Sequence, residues 1–218
     1  MVLKHVIFDM DGVLFDSERM YEEGLILHAP KYGFTPTHEH FLTTVGTSEK
    51  ASRETFLKLF GEFDYDALRV DIRSHIVTQM QAGRIPLKKG VHNLLSYLKR
   101  QGVGIALATS TRRSTVEVML QTAQLADYFN YTVCGDEVQN PKPDPEIFLN
   151  AMSKLGGTVH NTIVVEDSYN GVRAANAAGI PVVVVPDLLP HDRALPSYAV
   201  KEDLDEVLTL FAPLTQGA

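Results

Sequence analysis

The sequence predicts an α/β protein, a doubly wound parallel sheet with an all-helical domain inserted after the first strand. Three observations carry that prediction. Short, uninterrupted apolar runs recur at 6–8, 102–108, 162–165 and 181–185, as expected of strands buried on both faces. From residue 90 onward helical patterns alternate with these runs, the order of a sheet covered on both sides. Between 17 and 83 helical spacing continues with no strand. The expected division is therefore a core of 1–16 and 84–218 with an insert of 17–83.

Taken in order, Val6-Ile7-Phe8 runs into Asp9-Met10-Asp11-Gly12, where Gly12 lets the chain turn away. Ser17-Glu18 opens a helix to about Lys31, with Met20, Tyr21, Leu25, Leu27 and His28 on its broad faces, and Gly33 stops it. Helical segments are expected at 37–42, 48–60 and 64–82, the last two on Phe56, Leu57, Leu59 and Phe60 and on Leu68, Ile72, Ile76 and Met80. The segment 90–100 is an amphipathic helix with Leu94, Leu95 and Leu98 inward. The strand at 102–108 ends at Thr109-Ser110-Thr111, and 114–125 is helical. A short strand follows at 131–134, then a helix opened by Asp144-Pro145 and ended by Gly156-Gly157. The strand at 162–165 stops at Glu166-Asp167; a small-residue helix at 168–178, a strand at 181–185 and a last helix at 204–211 complete the chain.

A net charge of -7 over 218 residues gives no general attraction for nucleic acid or an anionic membrane. No segment approaches the ~20 consecutive apolar residues of a membrane span. Cys134 is the only cysteine, which excludes an internal disulfide and a cysteine metal cluster. A free thiol suits a reducing compartment, so a cytoplasmic location is expected. No oligomeric state follows from the sequence.

The carboxyl ends of parallel strands share one edge of a sheet, where such folds bind ligands. Asp9 and Asp11, Thr109 with Ser110, Lys142, and Glu166 with Asp167 are expected to converge there. An Asp-x-Asp-Gly alone can be a solvated turn; polar positions recurring at the ends of successive apolar strands are not explained by turn preference. Asp9, Glu166 and Asp167 offer hard oxygens suited to Mg²⁺, and the absence of His and Cys from these ends argues against zinc. Thr109 can donate to a phosphoryl oxygen and Lys142 can neutralise one. A carboxylate approaching a phosphate is repelled by about 1 kcal/mol per charge pair in water and about 4 at intermediate dielectric, at ~4 Å. Mg²⁺ and Lys142 would offset this, letting Asp9 attack phosphorus while Asp11 protonates the leaving group.

Asp9-x-Asp11-Gly12, the strand ending in Thr109, Lys142 in Lys-Pro-Asp-Pro, and Glu166-Asp167-Ser168 resemble the four motifs of the haloacid dehalogenase superfamily of phosphotransferases. The helical block resembles the cap of its β-phosphoglucomutase-like phosphatases. The resemblance implies a Rossmann-like core whose first strand is central, flanked by the Thr109 and Asp167 strands. It implies Asp9 as nucleophile and Asp11 as acid/base with its carbonyl on Mg²⁺. Thr109, Ser110 and Lys142 would bind phosphate, with Asp167, and Glu166 beside it, at the metal. The expected function is a Mg²⁺-dependent phosphatase of a small phosphorylated metabolite, a sugar phosphate or nucleoside monophosphate, working through an aspartyl-phosphate.

The family's dehalogenases lack the second Asp, so Asp11 favours phosphate chemistry. A β-phosphoglucomutase-type mutase is the alternative; its cap His and Arg places hold Tyr21 and Glu49 here, which favours hydrolysis. A receiver-type signalling module is the third reading, but receivers carry their Asp on a later strand and lack the insert. His38-Glu39-His40 is expected in a solvated loop, Gly102-x-Gly104 precedes rather than follows a strand and so is no dinucleotide fingerprint, and Cys134 is expected as a small buried hydrophobe. Arg112 and Arg113 are left open between substrate contact and solvent.

Overall fold

The structure is a computed structural model that describes residues 2–45, 47, 49–188 and 190–215. In chain order its elements are β1 (His5–Phe8), α1 (Ser17–His28), α2 (His38–Leu42), α3 (Glu49–Phe60), α4 (Tyr65–Gln81) and α5 (Val91–Arg100). There follow β2 (Gly104–Ala108), α6 (Arg113–Thr122), β3 (Tyr131–Val133), α7 (Glu146–Lys154), β4 (Thr162–Glu166), α8 (Tyr169–Ala177), β5 (Val182–Val184), β6 (Ala199–Val200) and α9 (Leu204–Thr215). The chain forms two compact units, Met1–Phe15 with Pro86–Ala218, and Asp16–Ile85. These boundaries lie one and two residues from the division expected after 16 and 83.

The first unit is a six-stranded, fully parallel sheet in the order β3-β2-β1-β4-β5-β6. β1 is central because its residues are apolar toward both faces: Val6, Ile7 and Phe8 are all fully buried. Side chains alternate along a strand. Ile7, Ala106, Ala108, Val164, Val182 and Val184 therefore share a face, packed against Ile147, Phe148 and Ala151 of α7 and Val172, Ala174 and Ala175 of α8. α5 lies on β2 and pairs with α9, burying Leu94, Leu95, Leu98, Val207 and Phe211. Each such buried Leu, Val or Phe contributes about 1.5–3 kcal/mol. The register aligns Phe8 with both Leu107 and Val165, so the residues that follow leave the sheet side by side.

The second unit is helical among its described residues. α1 packs on α4, where Gly24 allows close approach to Ile72. Phe34 stacks on Phe60 with ring centroids 4.4 Å apart and lies tilted against Phe63 at 4.6 Å, with Phe56 and Tyr65 beside them. The Asp64 carboxylate accepts the Ala67 N–H at 2.9 Å and caps α4.

Four details differ from expectation. α1 ends at His28 because Pro30 opens a 3₁₀ turn at Ala29–Tyr32, and Leu27 points outward, 60 % exposed. His38-Glu39-His40, expected as a solvated loop although 37–42 also read as helical, lies in the short helix α2, which bears out the helical reading: Thr37 caps it, and His38 Nδ1 lies 2.7 Å from Glu22 Oε1. The edge strand β6 has only two residues, too few to carry a pattern. α9 runs on past 211 to Thr215 with Pro213 inside it. Ser48, the expected start of the third helical segment, lies outside the described residues.

Candidate active site

The β1–β4 ladder continues one residue beyond the strand, Asp9 N–H donating to Val165 O at 2.9 Å, and this holds Asp9 at the sheet edge. Gly12, at φ +80°, turns the chain there; a Cβ in its place would overlap the Asp167 carboxylate. The two acidic ends are thus brought together by backbone that only glycine accommodates.

Lys142 reaches the same point from a loop clamped by Glu146, whose carboxylate accepts the N–H groups of Gln139 and Asn140, each at 2.9 Å. Its ammonium donates to Asp9 Oδ1 at 2.5 Å, Glu166 Oε1 at 2.8 Å and Ala108 O at 3.3 Å. The Phe148 ring stands 4.7 Å from it. Both oxygens of Glu166 accept: Oε1 takes Lys142 and Oε2 takes the Ser168 N–H at 2.6 Å. A Cβ at Gly171 would collide with this carboxylate, so the start of α8 is shaped around Glu166.

One carboxylate oxygen from each of Asp9, Glu166 and Asp167 lies within 4.8 Å of the others. Desolvation pushes the Asp9 carboxyl up to about 7; Lys142 pulls it down, and Glu166 and Asp11 add repulsion. Asp167 is likewise raised well above its ordinary value, first by burial, then by Glu166, Asp9 and Asp187, with Lys142 opposing. Burial alone would lower Lys142, but Asp9 and Glu166 outweigh it and its proton is held more tightly than usual. Several acids share one ammonium, so the cation is stabilised while the surplus carboxylates are strained. All available donors are hard oxygens, and their excess negative charge fits a small divalent cation.

Thr109 is buried, 1 % exposed, and its Oγ1 accepts the Thr111 N–H at 3.0 Å. Ser110 is exposed beside it. Asp11 does not join the three-acid group; its Oδ2 accepts the Thr111 hydroxyl at 2.7 Å, with Thr109 Oγ1 at 3.5 Å. Thr111 was therefore missed as a site residue, although the Thr-Ser-Thr run at the strand end was its signal. Asp187, just past β5, was missed too: Lys88 Nζ lies 2.5 Å from its Oδ1, and no apolar or motif pattern marks it.

Arg113 holds Glu137 and the Thr132 carbonyl, a structural use, while Arg112 is exposed. Cys134 is fully buried, its thiol pushed up to about 11 chiefly by desolvation. In the helical unit, Tyr21 stacks on Phe41 with centroids 6.2 Å apart. Glu49, at the place of the mutases' cap Arg, is ion-paired with Arg69.

A family model described as haloacid dehalogenase-like hydrolase matches residues 6–185. The phosphorylated carbohydrates phosphatase of Thermotoga maritima is 34 % identical over 181 residues, 82 % of each chain. The Drosophila melanogaster protein named Probable pseudouridine-5'-phosphatase is 36 % identical over 191 residues, covering 84 % of this chain and 81 % of that one. The structure of β-phosphoglucomutase from Clostridium difficile superposes with a TM-score of 0.74 at 21 % identity, covering 98 % of this chain and 97 % of that chain, a likeness of fold.

Proposed function

Because the chain belongs to the haloacid dehalogenase-like hydrolase family, we propose that it is a Mg²⁺-dependent phosphatase of a small phosphorylated metabolite. A sugar phosphate or a nucleoside monophosphate is the substrate class, in keeping with relatives named for phosphorylated carbohydrates and pseudouridine 5'-phosphate. The observation that carries the proposal is the Asp9–Lys142 pair, buried beside Asp167 at the carboxyl end of the central strand.

Asp9 is the nucleophile and forms an aspartyl-phosphate. Asp11, outside the three-acid group and bonded to Thr111, protonates the leaving oxygen and then deprotonates water. Lys142, Thr109 and the exposed Ser110 bind the phosphoryl oxygens. Lys142 also stabilises charge that builds on them. Asp9 and Asp167, with the Asp11 carbonyl and Glu166 behind them, would hold Mg²⁺. When bound, the cation supplies electrostatic stabilisation to the phosphoryl group.

The helical unit acts as a cap that excludes water and selects substrate, with residues near Phe15-Asp16 and Arg84-Pro86 as hinges. No helix is long and apolar enough to cross a membrane among the described residues; with its single free thiol, the protein is assigned here to the cytoplasm. Phosphate release from a panel of sugar, polyol and nucleoside monophosphates tests the proposal. Sustained turnover that needs Mg²⁺ and is lost in Asp9→Asn is the expected result. A single burst leaving a long-lived phosphoprotein would replace it with the receiver reading.

A further inference from the structure

Asp11 is held by one short bond. The Thr111 hydroxyl donates to Asp11 Oδ2 at 2.7 Å, while the Thr109 hydroxyl, at 3.5 Å from the same oxygen, is at the limit of hydrogen bonding. Thr109 instead serves Thr111, accepting its N–H at 3.0 Å.

Thr111 is in turn fixed from behind. The Gly135 N–H donates to Thr111 O at 3.0 Å. A Cβ at Gly135 would run into the Ser110 carbonyl, so the two loops lie closer than any other residue there allows. Arg113 ties the same loop down: its N–H donates to Asp136 Oδ1 at 3.0 Å, and its guanidinium grips Glu137, which accepts the Cys134 N–H at 3.0 Å. A hydroxyl supported this closely is a rigid donor aimed at one oxygen of a carboxyl group whose terminal torsion is otherwise broad.

We propose that Thr111 is the positioning residue for proton transfer at Asp11, reserving Oδ2 as an acceptor so that Oδ1 is the oxygen that carries the proton. The proposal rests on the assignment of Asp11 as acid/base. In the first half-reaction the Oδ1–H bond breaks and its proton passes to the ester oxygen. That oxygen keeps the electron pair of its breaking P–O bond as Asp9 bonds to phosphorus. In the second, water bonds to phosphorus, its proton goes to Asp11 Oδ1, and the Asp9–phosphorus bond breaks. A carboxyl free to turn would present the wrong oxygen for part of the time, and only reactions that need the proton would slow.

The test compares Thr111→Val, which keeps the shape and loses the hydroxyl, with Thr111→Ser, which keeps the donor. kcat/KM is measured with Mg²⁺ on aryl phosphates of graded leaving-group acidity and on a hexose 6-phosphate. Thr111→Val should lose about 10-fold on the hexose ester, part of what a general acid supplies, and should stay close to wild type on p-nitrophenyl phosphate. Thr111→Ser should restore the hexose rate. Thr111→Ala repeats the measurement should the valine variant melt early. An equal loss on every ester, no loss on the hexose ester, or no rescue by Ser overturns the role of Thr111. Asp11→Asn separates the two levels: if it too shows no dependence on leaving group, the assignment of Asp11 fails; if it shows a steep one while Thr111→Val does not, only the Thr111 role fails.

Discussion

Lys142 Nζ lies 2.5 Å from Asp9 Oδ1 with 6 % of the lysine side chain and 9 % of the aspartate side chain exposed. A buried pair is costly to break from one side, because the remaining charge keeps its desolvation penalty. Here Glu166 shares the same ammonium. Lys142→Ala is expected to lower kcat/KM by about 10²-fold or more, the scale of losing one preorganised charge. It should also cost about 3–5 kcal/mol of stability. Denaturant titration and steady-state kinetics check both; near-normal kcat/KM would remove Lys142 from the reaction.

Asp9 and Asp11 are two residues apart yet make different contacts, Asp9 with Lys142 and Asp11 with Thr111. Their substitutions should therefore fail differently. Asp9→Asn is expected to abolish both turnover and phosphoprotein formation. Asp11→Asn should still form the phosphoprotein slowly from esters with good leaving groups, because the nucleophile remains. Mass spectrometry of rapidly quenched enzyme distinguishes them; wild-type turnover in either variant would reject the assignment.

The sheet was legible because its strands are apolar on both faces, so Val6-Ile7-Phe8 and the 162–165 run could not be mistaken for half-exposed strands or polar helices. Convergence of Asp9 and Asp167 followed from the rule that parallel strands end on one edge. Contacts made by loops were not legible. Whether Thr111 bonds Asp11 depends on how Gly135 and Ser110 stack, and whether Glu49 is bare depends on Arg69, twenty positions away on another helix. β6 is specified by hydrogen bonds to β5, not by its two residues.

Gly12 couples the backbone to the Asp167 carboxylate. At φ +80° an alanine is strained, and its Cβ would push the Asp167 carboxylate aside. Gly12→Ala should cost about 1–3 kcal/mol in stability and raise the Mg²⁺ concentration needed for half-maximal activity by about 10-fold or more, as displaced metal-site partners do. Calorimetric Mg²⁺ titration checks the affinity without turnover. An unchanged Mg²⁺ requirement would separate Asp167 from the cation.

His5 starts β1, at the end away from Asp9, and its buried Nδ1 has no hydrogen-bond partner among the described residues. Burial, aided by Lys4, lowers its pKa below the ordinary 6.5. Between the folded value and 6.5 the unfolded chain therefore binds more protons, and stability rises with pH. The contribution is complete above 6.5 and is lost as pH falls through the folded value. His5→Asn should flatten this part of the profile, read as a smaller drop in denaturation midpoint from pH 7.5 to about pH 5 than in the wild type. Equal drops would show that His5 does not titrate with folding.

Hydrolysis against mutation of a sugar phosphate turns on the helical unit. A mutase must grip a bisphosphorylated sugar while it reorients, which takes a cation free to bind the second phosphate. Arg69 is ion-paired with Glu49 and is engaged there. The pair closes on itself: Glu49 is not left to repel a phosphate, and Arg69 is not left to hold one. Hydrolysis of several monophosphates is therefore expected, with free phosphate as the product and no positional isomer. The measurement follows both together over a panel of sugar monophosphates with Mg²⁺. Conversion of β-glucose 1-phosphate into glucose 6-phosphate, dependent on a bisphosphate primer and faster than any release of phosphate, would overturn this expectation and make the enzyme a mutase.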